Sequence, residues 1–267
     1  MNMLWTNSLS YAHHERNVIV YYTGTGNSLQ VALALRERLG GDLVSAADLI
    51  RGECKLEHDG IFGIVCPVHF YGLPMTVVDL LSRISFVNGD PEVFLVLSCG
   101  AFTSKADLEA ERLLSAGGLR LDYVFSVKMP ENYTPLFRVP SQNKIDGLLS
   151  VVDAEADEMA AIIQKGIKGN HNRNRGLGFM TRVARGHFIR GRRTSGFRLN
   201  DRCTGCGLCA AICPVNAIEI KEGQANWVKD RCDLCLACLH RCPSWAIERG
   251  RLTRRKRYVN PVLDDSR

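Results

Sequence analysis

Eight of the eleven cysteines fall between residues 203 and 242, and their spacing is duplicated. Asp201-Arg-Cys-Thr-Gly-Cys-Gly-Leu-Cys-Ala-Ala-Ile-Cys-Pro214 returns 29 residues later as Asp230-Arg-Cys-Asp-Leu-Cys-Leu-Ala-Cys-Leu-His-Arg-Cys-Pro243. Ala217-Ile218-Glu219 likewise returns as Ala246-Ile247-Glu248. Each half reads C-x2-C-x2-C-x3-C-P. Thiolates are soft ligands suited to iron and zinc. Three of them on one tight loop can reach three corners of a metal–sulfur cube, but the fourth lies on a departing helical turn and must serve the other cube.

This is the spacing of bacterial ferredoxins that carry two [4Fe-4S] clusters. It assigns Cys203, Cys206, Cys209 and Cys242 to a first cluster, and Cys232, Cys235, Cys238 and Cys213 to a second. Pro214 and Pro243 redirect the chain after each fourth cysteine. Gly205 and Gly207 suit a loop whose amides turn inward toward cluster sulfurs; Leu234 and Leu236 stand there in the second loop, which predicts better shielding from water. Structural zinc and a disulfide scaffold are the alternatives, and the complete duplicated pattern weighs against both. The scattered Cys54, Cys66 and Cys99 read as small apolar packing residues.

The elements that must carry other chemistry lie upstream. The chain has 267 residues, 46% of them hydrophobic and 23% charged, enough for an ordinary folded core. Apolar runs predict strands at 18–22, near 43, and at 60–68, 93–98 and 121–127. Helical periodicity predicts helices at 27–39, 75–84, 104–116 and 145–167. This alternation implies an α/β fold with a doubly wound parallel sheet, whose ligands sit at the carboxyl ends of the strands.

At the end of the first strand lies Thr23-Gly24-Thr25-Gly26-Asn27-Ser28, directly before a helix. It is neither the Gly-x-Gly-x-x-Gly fingerprint nor a Walker loop, and no basic residue occurs from Val18 to Leu35. Backbone amides, the helix N-terminus and the Thr, Asn and Ser side chains must therefore hold any anion.

Thr-x-Thr-Gly-x-Ser after a first strand resembles the phosphate loop of flavodoxins, which bind FMN. That resemblance implies a flavodoxin-like sheet of order 2-1-3-4-5 and two flavin-ring loops, 67–74 and 98–104. Within them Pro67, Phe70, Tyr71, Gly72, Cys99, Gly100 and Ala101 are the implied contacts. Phe70 or Tyr71 would stack on the ring, and Gly72 and Gly100 would let backbone approach it. His69 is expected to be structural. Over residues 17–249, including Pro130-Glu-Asn-Tyr133, the chain resembles a bacterial family of ferredoxin–flavodoxin fusions.

The charge of +6 is unevenly distributed. Residues 1–169 hold 14 basic and 20 acidic side chains, 170–200 hold eight arginines and no acid, and 201–267 hold 12 basic and eight acidic. The expected organisation is a flavodoxin-like FMN-binding domain (1–169), a basic linker (170–200), a small α+β two-cluster ferredoxin domain (201–249) and a basic tail (250–267). Leu177, Phe179, Val183, Phe188, Ile189 and Phe197 among the arginines predict an ordered, partly helical strap. Its charges would pair with the acidic first domain or face an acidic redox partner, which is preferred to nucleic acid despite Arg254-Arg-Lys-Arg257.

No apolar run is long enough for a membrane span. The first 17 residues, with His13 and His14, lack the form of a secretion signal, so a cytoplasmic protein is expected. The function expected is electron transfer between FMN and two [4Fe-4S] clusters, serving protein partners. The alternatives are reduction of a small organic substrate by FMN, and a ferredoxin whose flavin-free first domain only docks a partner.

Overall fold

The computed structural model describes residues 17–56, 60–87, 89–176, 181–250, 253 and 256–264. The readings made on His13, His14, Leu177, Phe179, Arg254 and Arg255 lie outside these residues, as does the side chain of Arg182.

Five parallel strands form the centre: β1 (Val18–Tyr21), β2 (Asp42–Ser45), β3 (Ile61–Pro67), β4 (Glu92–Cys99) and β5 (Tyr123–Lys128). Their order is 2-1-3-4-5, and a two-residue β6 (Gly169–Asn170) extends the edge beside β5. The sheet thus continues into the segment read as linker. Each strand alternates its side chains between two apolar faces. Val20, Ile64 and Leu95 pack under α2 (Met75–Arg83) and α3 (Ala106–Ala116). On the other face Ile19, Val65 and Val96 pack with α1 (Asn27–Leu39) and α5 (Val152–Gln164).

The long helix expected over 145–167 is two helices, α4 (Gln142–Leu149) and α5, broken at Ser150–Val151. Only the second turns a broad apolar face to the sheet, with Ala156, Met159 and Ile163 buried; α4 buries Ile145 alone. A small parallel pair, Lys55–Leu56 with Ser85–Phe86, was not foreseen.

The linker contains α6 (Thr181–Gly191). Its Phe188 joins the core of the C-terminal unit with Phe197, Leu234, Leu236 and Leu239. That unit holds the antiparallel hairpin of β8 (Ile218–Lys221) and β9 (Gln224–Trp227), and a short ladder of β7 (Arg198–Leu199) with β10 (Ile247–Glu248). Among the described residues no helix is long and apolar enough to cross a membrane.

Several linker arginines close on acids of the first domain. Arg173 pairs with Glu158, and Arg175 lies 2.6 Å from the buried Asp107. Arg185 meets Glu109 at 2.9 Å. Arg192 turns the other way, to Asp233 of the second cysteine loop at 3.5 Å.

Candidate functional site

The two cysteine loops use the same backbone twice. Gly205 and Gly207 have φ of 65° and 78°, and their counterparts Leu234 and Leu236 have 51° and 59°. Left-handed backbone costs a side chain roughly 1–2 kcal/mol. Both leucines are nevertheless buried, at 4% and 2% exposure, so packing offsets the strain.

Cys203, Cys206, Cys209 and Cys242 line one cavity. Cys213, Cys232, Cys235 and Cys238 line another. The cross-over of the fourth cysteine is therefore present in the geometry. Backbone amides turn toward sulfur: Ala217 to Cys213 at 3.2 Å, Ala246 to Cys242 at 3.3 Å and Leu234 to Cys232 at 3.5 Å. Among the described residues no three His, Cys, Asp or Glu side chains converge closely enough for a single metal ion. Sulfurs ringing a cavity, with amides aimed at them, fit a cluster with inorganic sulfide.

Cys54, Cys66 and Cys99 are buried. Burial raises the pKa of Cys54 and Cys66, and pushes Cys99 up to about 12. These thiols stay protonated at neutral pH.

A cleft of about 190 Å³ opens at the carboxyl ends of β1, β3, β4 and β5. Thr23, Gly24, Thr25, Asn27 and Ser28 form its phosphate-loop side. Helix α1 starts here without a side-chain cap and without an acid in its first turn, leaving its first amides unpaired within the helix. Among the described lining residues there is no lysine or arginine. The arrangement fits a phosphate held by amides and hydroxyls.

Several of the expected contacts already hold partners within the protein, and Gly26 and Gly72 lie outside the lining. The Asn27 amide is committed within the protein, since Nδ2 donates to the Pro130 carbonyl at 3.0 Å and Oδ1 accepts from Tyr258 Oη at 2.6 Å. Ser28 Oγ shares a 2.8 Å hydrogen bond with Ser98 Oγ, and Thr25 Oγ1 accepts from Asn132 Nδ2 at 2.6 Å. Gly26 is turned to the far side of its loop. Gly72 is also outside the cleft wall: a β-carbon there would lie 2.5 Å from the Arg185 guanidinium.

Pro67, Phe70, Tyr71, Cys99, Gly100 and Ala101 do line the cleft. Phe70 and Tyr71 form the tip of a tight turn between His69 and Gly72, both with positive φ. Phe70 stacks on Phe188 with centroids 5.0 Å apart and meets Tyr133 edge-on, leaving Tyr71 as the exposed aromatic of this turn. Arg185 fixes this turn by donating to the carbonyls of His69 at 2.9 Å and Leu73 at 2.7 Å. Burial lowers the pKa of His69, opposed by Asp233; the imidazole is neutral at pH 7.

Sequence reasoning missed the wall that the C-terminal unit supplies. Leu234, Cys235 and Leu236 line the same cleft as the phosphate loop. A β-carbon on Gly24 would collide with the Cys235 carbonyl oxygen, so glycine is required for the two loops to meet. Asp233, 2% exposed, accepts from Tyr22 Oη at 2.9 Å, from Thr76 N at 2.9 Å and from Thr76 Oγ1 at 2.5 Å. A carboxylate of one half thereby caps helix α2 of the other. The only signal was the Thr204/Asp233 mismatch between the repeats.

Residues 196–243 match the model of a 4Fe-4S dicluster domain. The C-terminal unit is accordingly a 4Fe-4S ferredoxin-type domain, beside a first domain whose strand order is flavodoxin-like. No curated protein matches the chain. Among solved structures, a flavodoxin from Streptococcus pneumoniae TIGR4 is 17% identical, covering 54% of this chain and 97% of its own, with a TM-score of 0.32. An azoreductase from Bacillus anthracis Sterne is 11% identical, covering 54% and 98%, with a TM-score of 0.35. The Trp repressor binding protein from Bacillus subtilis is 9% identical over 51% and 95%, with a TM-score of 0.30.

Proposed function

We propose that this chain is an internal electron relay in which FMN in the cleft exchanges electrons with two [4Fe-4S] clusters on behalf of redox protein partners. The observation that carries the reading is the shared wall: the Leu234-Cys235-Leu236 segment closes the cleft, and the Cys235 carbonyl abuts the phosphate-loop glycine. The cluster of Cys213, Cys232, Cys235 and Cys238 is then the flavin's neighbour, and the cluster of Cys203, Cys206, Cys209 and Cys242 is the outer station. Cys206 is the exposed cysteine among the eleven. FMN supplies conversion between two-electron and one-electron chemistry. The protein supplies the amides of α1 for the phosphate, Tyr71 and the Gly100 loop for the ring, and buried leucines that keep water from the inner cluster.

Anaerobic purification followed by iron, acid-labile sulfide and flavin analysis tests this reading. About eight iron atoms and one FMN per chain are expected. Stoichiometric zinc without sulfide overturns the cluster assignment; absence of flavin on reconstitution overturns the relay.

A second reading, reduction of a flat organic substrate at the flavin, is favoured by Phe102 and Phe137. They stand at the cleft with 53% and 50% of their surfaces exposed. Reoxidation of the reduced protein by a soluble quinone, slowed by Phe102→Ala, is its signature.

A further inference from the structure

The segment read as a basic tail crosses from the ferredoxin unit to the phosphate loop. Arg257 sits over the Trp245 ring and donates to the carbonyls of Leu239 and, at 2.8 Å, Ile247. Next in the chain, the Tyr258 amide donates to His240 Nδ1 at 3.1 Å, and the other nitrogen of that imidazole bonds the Asn132 carbonyl at 2.8 Å. Tyr258 Oη then reaches Asn27 Oδ1 at 2.6 Å. The Asn260 amide donates to the Thr25 carbonyl at 2.8 Å, and its side chain donates to Gln30 Oε1 at 2.8 Å.

Tyr258 and Asn260 are 4% and 1% exposed, and the bonds of Tyr258 to His240 and Asn27 are desolvated. Gly26 has φ of 100°, and a β-carbon there would lie 2.7 Å from Asn260 and 3.0 Å from Leu263. The tail therefore packs behind the loop at Gly26, a residue outside the cleft lining.

We propose that Tyr258 and Asn260 are positioning residues of the phosphate site, holding the loop from behind so that its amides are preset for an anion. This rests on the relay reading, because the anion is taken to be the FMN phosphate. Preset donors need no ordering on binding, and that cost falls on affinity when the brace is removed. Of the loop's own residues, Asn27 gives its side chain to that brace and only its backbone amide to the phosphate, which explains the commitment of that side chain to Tyr258 and Pro130.

The test compares FMN with riboflavin, which has the same ring and no phosphate. Fluorescence titrations of the full-length, cluster-loaded protein are run for the wild type, Tyr258→Phe and Asn260→Ala. Asn260→Ala keeps the backbone bond to Thr25 but loses the side-chain bonds to Gln30 and Asn27, and Tyr258→Phe loses the bond to Asn27, which predicts FMN affinity weakened about tenfold in the first and several-fold in the second. Riboflavin affinity and iron content are expected to stay unchanged. FMN affinity equal to wild type, or equal weakening of both ligands, overturns the assignment while leaving the relay standing. A wild-type protein that binds no FMN overturns both.

Discussion

The carbonyl of Cys235 lies against the α-carbon of Gly24, with no room for a methyl group between them. One belongs to a cysteine of the inner cluster cavity and the other to the phosphate loop. Any side chain at position 24 must push the two halves apart. Gly24→Ala is therefore expected to cost roughly 1–3 kcal/mol of stability and to slow electron exchange between flavin and clusters. Iron content should remain at the wild-type level. Stopped-flow reduction of the flavin, with the cluster absorbance followed in parallel, measures the exchange.

Asp233 is the buried partner of Tyr22, Thr76 and Arg192. Asp233→Asn presents an N–H group to a site already crowded with donors, and should destabilise the joint by roughly 2–4 kcal/mol. Urea unfolding should then separate into two transitions. A single transition at the wild-type midpoint would show that the carboxylate contributes nothing to docking.

Arg185 holds the His69–Leu73 turn through two carbonyls and the Glu109 carboxylate. Arg185→Lys keeps the charge but cannot span these acceptors in one plane. It should loosen the Phe70–Tyr71 tip nearly as much as Arg185→Ala does. Faster amide hydrogen exchange across residues 67–73 in both variants is the expected outcome; protection in Arg185→Lys equal to wild type would count against the clamp.

The depressed pKa of His69 carries a sign. The unfolded imidazole takes up a proton as pH falls below about 6.5, while burial keeps the folded one neutral. The unfolded state thus binds more protons, and stability falls with pH below that value. Above it the full contribution is present. His69→Gln should flatten the loss in urea midpoint between pH 7 and pH 5.5; an unchanged slope would place the dependence on other groups.

Much of this was legible in the sequence, for local reasons. Val18–Tyr21 and Ile61–Pro67 are apolar runs of strand length, and α1 is bounded by Gly26 and Gly40, so pattern and punctuation agree. The cysteine cross-over could be read because the duplicated loops leave the fourth ligand one exit. What stayed hidden depends on contacts between distant residues. Gly72 looked like a flavin-facing glycine, yet it is small because Arg185, more than a hundred residues on, lies over it. The Asn27 side chain looked like a phosphate donor, yet its Nδ2 donates to the distant Pro130 carbonyl and its oxygen accepts from Tyr258. Phe188 gave an apolar signal inside a basic segment, but no periodicity says that it reaches Phe70.

The bond from Tyr258 to Asn27 also has a temporal meaning. Chains emerge from the ribosome N-terminus first, so the phosphate loop is synthesised early and its brace only after Cys242, the last of the eight cysteines. The loop cannot reach its final form before every thiol of the iron–sulfur half has been made. The order of residues along the chain thereby puts all eight thiols ahead of the brace, so the backing of the Thr23–Ser28 loop is the last of these parts to be made.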